Sequence, residues 1–164
     1  MLKAYVAYVR LILEYESSIW NPYLVKHINL VEGVQRFFTK RILCRSRIQF
    51  TLYQDRLYKL NIHSIEFRRM ETDMVLTYKI IHNIIDLPMN KFFQFQANPY
   101  STRSHQYCLA VKTANTEFQK NFFGCRVVPT WNRLPSSLVQ SPTATIFRSK
   151  LKAFDLSTIM KFNF

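Results

Sequence analysis

The chain has 164 residues, of which 48% are hydrophobic, and it contains only two glycines. This composition excludes a disordered tail and disfavours a turn-rich β-sandwich. A formal net charge of +13 predicts attraction to polyanions, and nucleic acid is a more natural partner class for it than anionic membrane.

The first part of the chain is predicted to form successive helices. The segment LKAYVAYVRLILEY (residues 2–15) is too long for one strand and apolar nearly all round, so we expect a helix that needs neighbours on every side. Pro22 is expected to stop this element, and a second helix is predicted from about Lys26 to Ile42. Its core side is expected to hold Leu30, Val31, Val34, Phe37, Phe38 and Ile42, and its wet side Asn29, Glu32, Arg36 and Lys40.

Candidate helix caps divide the next stretch of the chain. Thr51 and Gln54 form a capping box, which predicts that a short helix begins there. Ser64 is placed to cap a longer helix from Ile65 to about Ile85, and Leu87-Pro88 is expected to end that element.

The second half of the chain is less regular. Residues 90–115 are predicted to be irregular, with YCLAVK as a candidate short strand. The stretch FFGCRVVPTWNRLP fits either strand or helix, although Pro129 disfavours a long uninterrupted helix. Thr143 is expected to cap a final helix. Its inward side is expected to hold Phe147, Leu151 and Phe154, and its wet side Arg148, Lys150 and Lys152.

These elements predict a mainly α fold, a small bundle of about five helices with an irregular segment around residues 90–130 that holds the candidate strand. We expect a helical region over residues 1–88, and an irregular segment plus C-terminal helix over residues 89–164 on the same core.

No run approaches the ~20 apolar residues that a membrane span needs, so no membrane partner is predicted. Arg10 and Glu14 interrupt the apolar start, and we predict no signal peptide.

The reactive residue types are too scattered to predict a catalytic or metal site. His105 and Cys108, with Cys125, resemble a zinc set only faintly, because structural zinc usually takes four ligands in paired short spacings. There is no Asp-Asp pair, glycine-rich phosphate loop or G-x-S-x-G motif. We therefore predict a protein that is not an enzyme and has no cofactor or metal. Its three cysteines are predicted to be buried hydrophobes, and their odd number favours a reducing intracellular setting, nucleus or cytoplasm.

Clustered basic residues carry the clearest functional signal. The stretch VQRFFTKRILCRSR contains no acidic residue, and between Leu87 and Phe154 the only acid is Glu117. Lysine and arginine that neutralise phosphates give salt-dependent affinity with little sequence preference. The candidate nucleic-acid-binding residues are Arg36, Lys40, Arg41, Arg45 and Arg47, with Lys120, Arg126 and Arg133 as a second set. The aromatic residues expected to pack in the core rather than to stack on bases are Trp20, Phe37, Phe38, Phe122, Phe123 and Trp131.

Several motifs also occur in an order that resembles a known family. They are KAYVAYVRLILEYESSIWNPYL, LVEGVQRFFTKRI, RRMETDMVLTYKIIHN, TRSH, KNFF, RVVPTWNRLP and FRSKL. In this order, with W-N-x-L-P at Trp131 to Pro135 as the most telling motif, they resemble the C-terminal portion of the reverse transcriptase of non-LTR (LINE-type) retrotransposons. The resemblance covers the chain up to about Leu156.

The resemblance implies a helical thumb and C-terminal region that follow the polymerase palm. The family's paired catalytic aspartates lie in the palm, and no position of this chain matches them. The region is expected to hold the backbone of an RNA–DNA hybrid or of RNA without sequence preference. Leu11 and Glu16 stand where family members often have proline and glycine, which indicates drift, and a start at Met1 inside a helix fits a truncated reading frame.

Two other interpretations stay open. The chain could be an inactive structural or interaction fragment that self-associates through its apolar first helix. It could instead be a polymerase subunit that is completed in trans by a separate palm chain. Whether a palm is encoded upstream of Met1 separates these alternatives.

Overall fold

The computed structural model describes residues 1–46, 52–96 and 105–154. These residues are mainly α-helical, which confirms the predicted fold class. Within the described ranges, the candidate strand in YCLAVK is limited to an isolated antiparallel bridge between Phe95 and Leu109. The chain divides into two compact units, one built on Met1–Met70 and the other beginning at Glu71. The predicted boundary at residue 88 was drawn from sequence pattern and stays a prediction.

The first unit begins with a helix, α1, over residues 2–14, which includes a π-helical stretch at Tyr5–Arg10. Its bounds match the apolar segment at residues 2–15 that was predicted to be helical, although it ends before Pro22, the residue that was expected to stop it. Glu16, just past the end of the helix, adopts a left-handed backbone conformation (φ 47°) that an α-helix cannot continue through, and the buried Arg69 donates to the Leu13 carbonyl at 2.6 Å. A residue far along the sequence therefore contacts the last turn of α1.

Two more helices follow in this unit. Helix α2 spans Val25–Arg45, slightly longer at both ends than predicted, and α3 spans Tyr53–Leu60. The backbone at Leu52 precedes α3 without a side-chain cap, and the proposed cap residue Thr51 lies outside the described residues. Asn61 ends α3 in the left-handed conformation, with its N–H bonded back to Leu57 and Tyr58.

Helix α4 spans Ile65–Ile81, and its residues up to 70 belong to the first unit and the rest to the second. The Ser64 hydroxyl accepts a hydrogen bond from the Phe67 N–H at 3.2 Å, which confirms the predicted cap. The helix ends before Ile85, because Asn83 takes a left-handed conformation (φ 51°) that the α-helix cannot continue through.

The second unit is built from short helices and one longer one. They are α5 (Met89–Phe92), α6 (Glu117–Asn121), α7 (Phe123–Arg126), α8 (Val128–Asn132), α9 (Ser136–Val139) and α10 (Ala144–Ala153). The stretch left open between strand and helix is thus helical, and Pro129 lies in the first turn of α8, where its missing N–H costs nothing. Thr143 caps α10 by accepting from the Ile146 N–H at 3.2 Å, as predicted.

Trp131 and Phe147 lie at the centre of the second unit's core, and both are fully buried. Phe147 also stacks on Tyr78, with ring centroids 4.6 Å apart. The neighbouring Asn132 holds the loop: its side-chain amide accepts from the Leu109 N–H at 2.9 Å and donates to the Leu109 carbonyl at 2.8 Å. Of the two adjacent residues, Trp131 therefore fills the core and Asn132 holds the backbone at Leu109.

Two carboxylates of α4 form internal ion pairs within the second unit. Asp73 accepts two hydrogen bonds from the Arg126 guanidinium, at 3.0 and 3.1 Å. Glu71, also buried, pairs with Arg148 at 2.5 Å, with Lys152 3.6 Å away. Arg148 and Lys152 are exposed on α10 as predicted, yet their charges serve the fold. Among the described helices, none is long and apolar enough to cross a membrane.

Candidate nucleic-acid interface

The buried side of α2 differs from the predicted one. Its buried residues are Ile28, Glu32, Gln35, Thr39, Ile42 and Leu43. Leu30 and Phe37, which were expected in the core, are largely exposed, and Glu32, expected in water, is only 1% exposed. The predicted orientation of the helix was therefore wrong by part of a turn, because polar residues pack inward through hydrogen bonds rather than through apolar burial.

Glu32 is held in place by backbone and side-chain donors. Its carboxylate accepts from the N–H groups of Ile65 at 2.9 Å and Glu66 at 3.4 Å, at the start of α4. The Tyr53 hydroxyl donates to its other oxygen. A helix N-terminus favours negative charge, and its first N–H groups have no partner within the helix. Glu32 satisfies two of those donors from a different helix.

Gln35 links this carboxylate to the first helix. Its side-chain oxygen accepts from the Tyr5 hydroxyl at 2.8 Å, and its amide donates to the His63 carbonyl at 3.0 Å. The amide also lies 3.0 Å from the Tyr53 hydroxyl and 3.4 Å from Glu32. Such a network fixes how α1, α2 and α3 meet, because each buried polar group has a partner.

Burial changes the acidity of this network. Loss of water around the carboxyl raises the pKa of Glu32, although the Tyr53 hydroxyl and the two backbone donors oppose the shift. The pKa of the Tyr53 phenol is raised, first by burial and then by the nearby Glu32 charge. Burial likewise raises the pKa of Tyr5. The network therefore resists taking on additional negative charge.

The inward turn of Glu32 leaves the outer face of α2 basic. Glu32 is the only acidic residue among the helix's 21 residues, which also include Lys26, Arg36, Lys40, Arg41 and Arg45. Lys40, Arg41 and Arg45 are exposed along its second half. With no exposed carboxylate on the helix, their charges add together at the surface.

The structure places the members of the first predicted set differently. Arg36 is half-buried, with its guanidinium carbon 5.1 Å from the Tyr53 ring centroid. That of Arg41 lies 5.2 Å from the Phe37 ring centroid, and Arg45 lies 3.1 Å from the Met1 sulfur. Lys40 is exposed between them in sequence, and Arg47 lies outside the described residues. The structure thus brings Lys40, Arg41 and Arg45 to one end of α2.

The second predicted set does not form a comparable surface. Arg126 is 13% exposed at its side chain and is engaged with Asp73 and with the Asn121 carbonyl. Lys120 pairs with Glu117 at 2.6 Å on the exposed side of α6. Arg133 is exposed just past α8. All three lie in the second unit, and a nucleic-acid role for them stays a prediction.

Other predicted features of the surface are corrected by the structure. Cys44 is exposed and Cys125 is half-buried, so that only Cys108 is the buried hydrophobe that all three cysteines were predicted to be. Trp20 and Phe122 are about half exposed rather than in the core, whereas Trp131 and Phe123 pack in the core as predicted. His105 lies 4.0 Å from the Cys108 sulfur and 3.2 Å from the Trp131 carbonyl. Within the part of the chain that the structure describes, no three His, Cys, Asp or Glu side chains are grouped to hold a metal.

Comparisons with known proteins add one relative. No protein-family model matches the chain, and no solved structure matches it. Over 83 residues, the chain is 34% identical to an uncharacterized protein of Caenorhabditis elegans. The match covers 51% of this chain and 40% of that protein, so the chain spans less than half of its relative's length. The name of that relative states no activity or ligand.

Proposed function

We propose that this chain binds the phosphate backbone of nucleic acid, RNA–DNA hybrid or RNA, without sequence preference and without catalysing a reaction. The observation that carries the proposal is the sign of the charge on α2. Lys40, Arg41 and Arg45 are exposed there, while the helix's one carboxylate is buried. A surface of this kind gains affinity by releasing counterions from the phosphates that it neutralises.

The order of motifs in the sequence supports the same proposal. It resembles the region behind the palm of a LINE-type reverse transcriptase, and a thumb holds backbone rather than reading bases. On this proposal, the polymerase palm would be the macromolecular partner, on this gene's product or on a separate chain. The proposed compartment is the nucleus or the cytoplasm, where such nucleic acids occur.

Binding of a labelled RNA–DNA hybrid, followed by fluorescence anisotropy, tests the proposal. The test variant combines Lys40→Gln, Arg41→Gln and Arg45→Gln, and we expect it to bind at least tenfold more weakly than wild type at low salt. A matched control combines Lys91→Gln, Lys112→Gln and Lys150→Gln, three exposed lysines of the other unit that remove the same charge. Equal affinity of both variants, or no binding by wild type, would contradict the proposal.

A second candidate function, self-association, is favoured by the outer side of α1. Leu11 is largely exposed there, and Tyr8 and Ile12 are 74% and 73% exposed. A contiguous apolar face of this kind often marks an interaction surface. We assign this face to a second copy of the chain.

Light scattering at increasing protein concentration tests self-association. A dimer through α1 should be strengthened by salt, since salt screens the repulsion between two chains of net charge +13. Ile12→Glu should abolish it. A monomer at high concentration and high salt would contradict self-association, and this salt response is opposite to that of nucleic-acid binding.

A further inference from the structure

Phe37 lies in the middle of the basic face of α2 rather than in the core. Its side chain is 55% exposed, and Lys40 and Arg41 lie three and four residues further along the same side of the helix. An aromatic ring of this size in water is unfavourable unless something covers it. The question is what kind of partner fits an exposed ring with two cations beside it.

The ring is held in one orientation by its neighbours. Phe38 packs edge-on against it, with ring centroids 5.7 Å apart and planes at 89°. Phe38 is anchored in turn by the buried Tyr5, at 5.2 Å. Arg41 contacts Phe37 through its guanidinium, which attracts the ring's π face. Because these contacts restrict the ring before a ligand arrives, stacking on it costs less side-chain entropy than stacking on an isolated ring would.

No described residue fills the space one turn before Phe37. Helical side chains lean towards the N-terminus, so the surface next to the ring on that side belongs to Gly33. Among the residues that the structure describes, a Cβ atom added at Gly33 would meet nothing within 4 Å, and the Phe37 ring itself does not reach that position. Beyond it, Leu30 is exposed. The helix therefore leaves a shallow apolar gap beside an exposed ring.

We propose that Phe37 is a stacking platform for an unpaired base of a single-stranded nucleic acid, with the adjoining phosphates held by Lys40 and Arg41. The inference rests on the proposed function and names its preferred ligand. A base in a duplex already stacks on its neighbours and offers no free face, whereas every unpaired base does. Cations around an exposed aromatic ring are the combination that binds single strands without sequence preference.

Replacement of the ring tests the proposal. Phe37→Leu keeps an apolar side chain and the full charge of the helix, and we expect single-stranded RNA to bind roughly 5- to 100-fold more weakly. Affinity for a duplex of the same length should stay within about twofold of wild type. Phe118→Leu is the matched control, because Phe118 is an 81% exposed phenylalanine of the other unit, and it should change neither affinity.

Filling the gap gives an independent test without removal of the ring. Gly33→Leu should weaken single-strand binding as Phe37→Leu does, while it leaves the helix intact because leucine is the better helix former. Phe37→Trp should retain the affinity. With 2-aminopurine in the strand, wild type should quench its fluorescence by stacking, and Phe37→Leu should not.

The outcomes separate the two proposals. If the lysine and arginine variant loses binding but Phe37→Leu binds single strands as wild type does, the stacking site is contradicted and backbone binding stands. An equal loss of single-strand and duplex affinity in Phe37→Leu would show that the ring supports the fold only, which also overturns the stacking site. If wild type binds neither ligand, both proposals fail.

Discussion

The Glu32 carboxylate caps the first turn of another helix by accepting a hydrogen bond from the Ile65 N–H at 2.9 Å. This contact has two effects. It satisfies donors at the start of α4 that have no backbone partner within the helix, and it removes the only negative charge of α2 from the surface. The buried cap and the basic face are therefore two consequences of one side chain's orientation.

The raised pKa of Glu32 predicts a stability change with pH. Because the folded state holds this proton more tightly than the unfolded state, the contribution of Glu32 is fully present below its ordinary pKa of 4.5 and is lost as the pH rises through the raised value. Urea unfolding of wild type and Glu32→Gln between about pH 4 and about pH 8 measures it. The free energy of unfolding of wild type, relative to the variant, should fall with pH. A relative stability that rises with pH would contradict the sign.

Removal of one partner of the Asp73–Arg126 pair should cause a large loss of stability. Asp73→Ala leaves the mostly buried Arg126 guanidinium without its carboxylate, and we expect the free energy of unfolding to fall by about 3–5 kcal/mol. Replacing both residues, by Leu and Met, should recover much of that loss, because no charge is then left buried. Chemical denaturation measures both. A change of less than about 1 kcal/mol in Asp73→Ala would show that the pair is solvated.

Loss of the two hydrogen bonds between Asn132 and the Leu109 backbone should cause a moderate loss of stability. Asn132→Leu removes two hydrogen bonds to the Leu109 backbone and leaves a donor and an acceptor unsatisfied, so we expect about 1–3 kcal/mol of destabilisation. The adjacent, exposed Arg133→Gln is the control and should stay within about 0.5 kcal/mol of wild type. Thermal unfolding of the three proteins compares them, and equal midpoints for Asn132→Leu and wild type would refute this role of Asn132.

Arg69 joins the end of α1 to the loop that follows it, and we predict that its replacement affects both. Its guanidinium donates to the carbonyls of Leu13 and Trp20 and lies 4.1 Å from the Trp20 ring centroid. Arg69→Met should destabilise the fold by about 2–3 kcal/mol and should change Trp20 fluorescence in the folded protein. Exposed Lys59→Gln should do neither. A folded variant with unchanged emission would place Trp20 away from Arg69.

Sequence patterns predicted the features that depend on neighbouring residues. The helical class and the caps at Ser64 and Thr143 follow from local chemistry, since a hydroxyl accepts from an N–H three residues on. The contact that holds the end of α1 was not predictable in this way. There the Leu13 carbonyl accepts a hydrogen bond from Arg69, a side chain that is distant in sequence and reaches it only in the folded protein.

The orientation of α2 shows where apolar periodicity misleads. Leu30, Val34 and Phe37 form a convincing apolar stripe, yet the buried stripe includes Glu32, Gln35 and Thr39. The spacing of these polar residues is equally helical. Their burial is favourable because Tyr5, Tyr53 and Ile65 donate hydrogen bonds to them, and the residues next to them in sequence do not indicate these donors. For the same reason Phe37 was expected in the core, and its place on the basic face could be found only from the structure.

The slope of affinity against salt tests the central claim most directly. For wild type, the logarithm of the association constant for an RNA–DNA hybrid should fall linearly with the logarithm of salt concentration. Each cation that contacts a phosphate contributes about 0.7–0.9 to the slope, so the Lys40, Arg41 and Arg45 glutamine variant should give a slope shallower by about 2–3. The control at Lys91, Lys112 and Lys150 should keep the wild-type slope. Equal slopes for wild type and the α2 variant would contradict the account.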